Sequence, residues 1–164
     1  TFNGQTINDE FGWSRALADV GAETETRTLR IEVLDDPELA ERLKLASPSF
    51  IAVDRVRRLT GDGKPISIER SRLPLLPELE EVPLRGLRSG SLRETLRAAG
   101  LVPSHGEEWV NIEMLNAEDA ELLACEPGAA FLRTRRLTRG ADERPIEYVT
   151  SLLNPAFFAL HLEF

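Results

Sequence analysis

The sequence predicts an α+β two-layer domain, internally duplicated, with an antiparallel sheet and helices on one face. Three observations carry this. Stretches of alternating apolar and polar residues mark strands. Tight turns between them force antiparallel hairpins. The whole pattern then recurs about 80 residues later. At 164 residues the chain has the size of one ordinary domain, and a core of that size is stable without disulfides or metal.

The elements follow in order. Ser14 to Val20 reads as a helix ended by Gly21. Thr24 to Leu34 alternates, with Leu29, Ile31 and Val33 on one face, and is a strand. Asp36 and Pro37 open a short helix as N-cap and first helical residue, and Leu39, Ala40 and Leu43 form its buried stripe. Phe50 to Thr60 is a long strand, 61–64 a hairpin turn, and Pro65 to Ser71 the returning strand. Leu73 to Arg88, broken by Pro74, Pro77 and Pro83, is an irregular connector. Ser91 and Glu94 form a capping box for a helix that runs to Ala99 and stops at Gly100. Glu108 to Leu115 is a strand, and Asn116 caps a helix to about Cys125 with Asp119 in its first turn. Ala130 to Thr138 and Pro145 to Leu153 form a second hairpin, and Phe158 to Phe164 adds a terminal strand.

The repeat is visible in the letters. Arg30-Ile31-Glu32-Val33-Leu34-Asp35 resembles Asn111-Ile112-Glu113-Met114-Leu115-Asn116, and a short helix follows each. Arg55-Val56-Arg57-Arg58-Leu59-Thr60 resembles Arg133-Thr134-Arg135-Arg136-Leu137-Thr138, and each precedes a turn and a Pro-Ile pair. Two copies are too few for a solenoid. One shared sheet with pseudo-twofold symmetry is the simplest way to cover both.

Composition narrows the function. The net charge of −8 argues against a whole-domain nucleic-acid binder. No apolar run is long enough to span a bilayer, and no leader segment is evident. One cysteine and two histidines leave neither a disulfide nor a metal-ligand spacing, so no cofactor or metal is expected, in a reducing, cytoplasmic setting. Cys125 reads as inert, His105 as a solvated loop residue, and Trp13 and Trp109 as packing residues. No P-loop, dinucleotide fingerprint or nucleophile elbow is present.

Strand parity draws attention to charge. Ile51, Val53, Arg55, Arg57 and Leu59 share one face, so two guanidiniums continue an apolar stripe. Phe131, Arg133, Arg135 and Leu137 repeat that pattern. Ser67 and Glu69 share a face of the returning strand, and Glu147 stands where Ser67 does in the first copy. Two readings stand. A cross-strand ion pair such as Arg57 with Glu69 ties the hairpin, or the arginines and a carboxylate line a pocket for an anionic ligand. Ser91 at a helix start is a plain N-cap or an anion contact, and Arg93 in the first turn runs against the helix dipole.

Several of these stretches together resemble a known family. Asp54-Arg55-Val56-Arg57-Arg58-Leu59, the run from Asp62-Gly63-Lys64-Pro65-Ile66 to Leu73-Pro74, Ser89-Gly90-Ser91-Leu92, and Gly140 through Pro145-Ile146-Glu147-Tyr148 to Ser151 are similar to the UTRA domain. That is the effector-sensing domain of HutC-type, GntR-superfamily transcription regulators. The resemblance implies a chorismate-lyase-like fold and a homodimer that binds a small, anionic effector. It implies residues 1–23 as a linker and entry helix behind a DNA-binding domain outside this sequence, and 24–164 as the sensing domain. Operator DNA is then contacted only through that upstream winged helix-turn-helix, and no membrane is involved. Arg55, Arg57, Glu69, Ser91, Arg93 and Glu147 match the positions that line the effector pocket. The chain departs from amino-sugar-phosphate sensors of this family at Gly12-Trp13, at Arg93 and at Leu153-Asn154-Pro155-Ala156, which points away from a sugar phosphate. The resemblance implies no catalytic activity. The rival is an enzyme of chorismate-lyase type using Arg57 with Glu69, or Arg135 with Glu147. A module that only dimerises would instead bury Arg55 and Arg57 fully paired to glutamates.

Overall fold

The computed structural model describes residues 13–15 and 23–163. Its centre is a six-stranded antiparallel sheet. The strands are β2 (Thr24–Asp35), β3 (Ser49–Leu59), β4 (Pro65–Pro74), β5 (His105–Met114), β6 (Ala130–Arg139) and β7 (Pro145–Leu153). Their order across the sheet is β2-β3-β4-β7-β6-β5. Outward from the β4–β7 seam, each side carries a hairpin strand, a long strand and an edge strand in the same succession. The duplication is therefore one sheet with a pseudo-twofold at its centre.

The helices that belong to the repeat are α1 (Pro37–Arg42) and α4 (Ala117–Leu122). Both begin where cap chemistry dictates. The Asp36 carboxylate accepts from the Leu39 amide at 3.0 Å, and the Asn116 side-chain oxygen accepts from the Asp119 amide at 2.8 Å. Both lie on one face, as expected, and each reaches across the seam. Leu39, Ala40 and Leu43 of the α1 region pack on Phe50 and on Leu137 and Tyr148 of the second copy. Ala120 and Leu123 of the α4 region pack on Phe131 and on Val56 and Ile68 of the first. Each copy thus supplies the helix that buries part of the other.

The opposite face is covered unequally. Over the first copy lies the connector, with a 3₁₀ turn at Pro77–Leu79, α2 (Val82–Arg85) and α3 (Leu92–Ala98). Leu79, Val82, Leu92 and Leu96 from it pack on Ile51, Val53 and Leu73. The connector is shorter than 73–88 suggested, because β4 continues through Leu73 and Pro74. The same apolar cluster reaches Ile146 of the second copy, and near the carboxy-terminal end Phe157 and Phe158 pack on Ile66 of β4 and Leu153 of β7.

Two terminal expectations change. Ser14 and Arg15 are not the start of a helix. They lie in β1 (Trp13–Arg15), which pairs with β8 (Phe158–Leu160) in a separate two-stranded sheet. Strand pairing overrides local helix preference there. The rest of that expected helix, 16–21, lies outside the described residues. The terminal strand is correspondingly short, Phe158–Leu160. His105 is also not a loop residue. It opens β5 opposite Arg139, and its Nε2 lies 2.9 Å from a Glu143 carboxylate oxygen. Trp109 packs against the Arg135 guanidinium, whose carbon lies 5.7 Å from the ring centre. The Cys125 thiol bonds the Leu123 carbonyl at 3.3 Å.

Candidate functional site

Strand parity sets the floor of a cavity formed by the described residues. Arg55 lies opposite Glu69, and Arg57 opposite Ser67, across β3 and β4. Glu69 and Ser67 in turn face Ser151 and Leu153 on β7. On the other side of β7, Val149 faces Arg136 and Glu147 faces Thr138 on β6. All these side chains project from the face opposite α1 and α4. The α3 region roofs them with Leu92, Arg93 and Leu96, preceded by Ser91. The result is a cavity of about 280 Å³, near the lower end of the ~300–1,000 Å³ range for small-molecule sites.

All six residues singled out in the sequence, Arg55, Arg57, Glu69, Ser91, Arg93 and Glu147, line this cavity. Their pairing differs from the expected one. Glu69 is bound by Arg55 at 2.6 Å, not by Arg57, because register places Arg55 opposite it. Among the described residues Arg57 has no carboxylate partner; its NH1 donates to the Thr24 hydroxyl at 3.3 Å. The Ser91 hydroxyl accepts from the Glu94 amide at 3.1 Å and so caps α3. Arg93 is exposed at the cavity's edge.

The second copy contributes different residues from those expected. Arg133 and Arg135 lie on the face away from the cavity. Arg136 takes their place, buried, with its guanidinium 2.8 Å from Glu108 of β5. The letter match between Arg55–Thr60 and Arg133–Thr138 is 78 residues apart, whereas Phe50 and Phe131, which support the two helices, are 81 apart. The loop after α4 is longer by one residue than that after α1. The three-residue slip is odd, so it reverses the face of every side chain. In the structural alignment Arg55 corresponds to Arg136, and Arg57 to Thr138. Matching bulges confirm it: Ile66 is skipped between Arg57 and Arg58, and Ile146 between Thr138 and Arg139. The enzyme pair Arg135 with Glu147 is consequently not assembled, since the two lie on opposite faces.

Glu147 is the most perturbed acid at the site. Burial pushes its carboxyl up, nearby Glu69 adds to the rise, and Arg55 and Arg136 oppose it, leaving its pKa at about 7. It makes no hydrogen bond or ion pair with any described residue. Among the described residues, the Arg55 Nε and the Ser71 hydroxyl are buried in this cavity without a hydrogen-bond partner. Unpaired buried polar groups are rare in proteins and call for an explanation. The cavity therefore combines two Arg–Glu pairs, Arg55 with Glu69 and Arg136 with Glu108, with an arginine, Arg57, and a glutamate, Glu147, that form no ion pair among the described residues.

A family profile described as the UTRA domain matches residues 19–158. This chain belongs to the UTRA family. Among solved structures, the UTRA fold seen here is similar to the ligand-binding domain of a protein assigned to the GntR-family transcriptional regulators from Bordetella bronchiseptica. That pair shares 20% identity over 94% of this chain and 96% of the other, with a TM-score of 0.76. PhnF from Mycobacterium smegmatis is similar at 22% identity and TM-score 0.71, over 85% of this chain and 62% of PhnF. The separate effector domain of PhnF is similar at 21% identity and TM-score 0.70, over 85% of this chain and 86% of that domain. At these identities the neighbours show the fold. A search of curated protein sequences found no match.

Proposed function

We propose that this UTRA domain senses a small anionic effector in the cavity and passes the signal to a DNA-binding domain elsewhere in the protein. The carrying observation is Arg57, a guanidinium that lines the cavity without a carboxylate partner among the described residues. Arg57 is half-buried; a cation partly withdrawn from water gains from an opposite charge, and an acid in the cavity supplies it. Family membership supports the regulatory role, as does likeness to the ligand-binding domains of GntR-family regulators. The regulator acts in the cytoplasm as a homodimer, and effector binding shifts the population between arrangements of its two readers on operator DNA. Arg55, Arg57, Glu69, Ser91, Arg93 and Glu147 are the contact residues in this reading, which extends to Arg136 and Glu108 because they line the same cavity. Among the described residues no helix is long and apolar enough to cross a membrane.

A thermal-shift screen of the chain against carboxylates, amino acids, sugar phosphates and phosphonates tests this. A true effector raises the melting temperature in a concentration-dependent way. Arg57→Ala should weaken that ligand ~10-fold or more, the worth of one charge-assisted hydrogen bond. Absence of any stabilising acid, or a hit indifferent to Arg57→Ala, contradicts the proposal.

A further inference from the structure

We infer that the effector is an amine-bearing acid, whose amine is held by Glu147 while its acidic group meets the guanidinium side of the cavity. This rests on the reading of the cavity as an effector site and specifies its ligand. The argument begins with charge matching. Four arginines and three glutamates line the cavity. Arg55 is matched by Glu69 at 2.6 Å and Arg136 by Glu108 at 2.8 Å. Glu147 is in no ion pair among the described residues; it lies in the field of a second carboxylate, Glu69, and of Arg55 and Arg136, whose own carboxylates already match them.

Position separates the unmatched charges. Arg57 lies opposite Ser67, which faces Leu153. Glu147 is six residues back along β7, roughly 20 Å of strand at ~3.3 Å per residue. Their long side chains shorten that gap, and the Arg55 Nε, buried without a hydrogen-bond partner among the described residues, belongs to a residue that lies between them in register. The cavity thus offers Arg57, without a carboxylate among the described residues, at one end and the Glu147 carboxylate at the other, where the guanidiniums Arg55 and Arg136 are near but already paired to Glu69 and Glu108. A plain acid satisfies only the first and adds a third negative charge near Glu69 and Glu147. A hydroxyl can donate to Glu147 but brings no compensating charge. An ammonium does both, and an ionised carboxylate in a low-dielectric site repays it with a charge-assisted bond. Burial, with Glu69 nearby, keeps the free Glu147 carboxyl protonated up to about pH 7.

Matched probe pairs test this on the intact chain by calorimetry: 6-aminohexanoate with hexanoate, γ-aminobutyrate with butyrate, glutamate with glutarate, and glucosamine 6-phosphate with glucose 6-phosphate. In at least one pair the amine should bind ~10-fold or more tightly than its amine-free partner. Glu147→Gln, which keeps the shape and removes the charge, should abolish that difference. Amine-free acids binding as well as or better than their partners would overturn this inference and leave the effector reading standing. So would an amine preference that survives Glu147→Gln. Binding by neither member of any pair would count against the effector reading itself, and with it this one.

Discussion

The two copies share a backbone but divide the chemistry. In the first, Arg55 finds its carboxylate inward, on β4; in the second, the equivalent Arg136 finds it outward, on the edge strand β5. Arg57 of the first copy becomes Thr138 of the second, and Ser67 becomes Glu147. The backbone twofold thus frames a cavity that is chemically lopsided, with spare positive charge on β3 and spare carboxylate on β7. Duplication supplies shape, and divergence at a few inward positions supplies polarity. A small, unsymmetrical ligand needs both.

The helix clamps are the part of the comparison where the copies should behave alike. Leu43 and Leu123 occupy equivalent, buried positions under α1 and α4. Each truncation to alanine should cost ~2–5 kcal/mol. Because each helix packs on the other copy, both variants should still unfold in one transition by calorimetry. Two separated transitions would mean that the copies are independent.

Away from the cavity the copies should differ. Asp54, buried, takes hydrogen bonds from Arg30 and Arg72, both at 2.7 Å. Its structural equivalent is Arg135, which stacks on Trp109. Asp54→Ala leaves Arg72 without a carboxylate, while Arg30 keeps Glu32, and should cost ~3 kcal/mol in denaturant unfolding. Arg135→Ala loses only a surface cation–π contact of ~0.5 kcal/mol. Equal costs would refute the asymmetry.

Glu147 gives a third, pH-dependent contrast, because Ser67 at the matching position does not titrate. Its folded pKa is raised from 4.5 to about 7. The folded state therefore binds the proton more tightly, and the associated stability is full below pH 4.5 and lost as pH rises to 7. The unliganded domain should lose up to ~2–3 kcal/mol across that window. Glu147→Gln should flatten the profile there, as read by melting temperature against pH.

The strands and helix starts were legible because their signals are local. Alternation marks β3 and β4, and Asp36, Ser91 and Asn116 each accept from the amide three residues on. The six cavity residues were found through family likeness, and strand parity supported Arg55, Arg57 and Glu69. The second copy misled because Arg-x-Arg-Arg-Leu-Thr repeats in letters but not in register. A one-residue difference between loops is invisible to a match of similar strings, yet parity depends on it. Matching the cap residues and then Phe50 with Phe131 would have revealed Arg136. Glu108 carried no local signal, since its role arises from its partner on β6. At the amino-terminal end, pairing of Ser14 and Arg15 with β8 is a contact between opposite ends of the chain, which no local window contains.

The crossing of α1 and α4 also bears on how such a domain can arise. A single copy, alone in water, would expose the apolar ground its own helix does not cover, and it could hide that ground only by trading helices with a twin. The present chain has the arrangement such a swapped pair would have if joined end to end. Two joined copies need not be identical, so one cavity can carry two unlike poles.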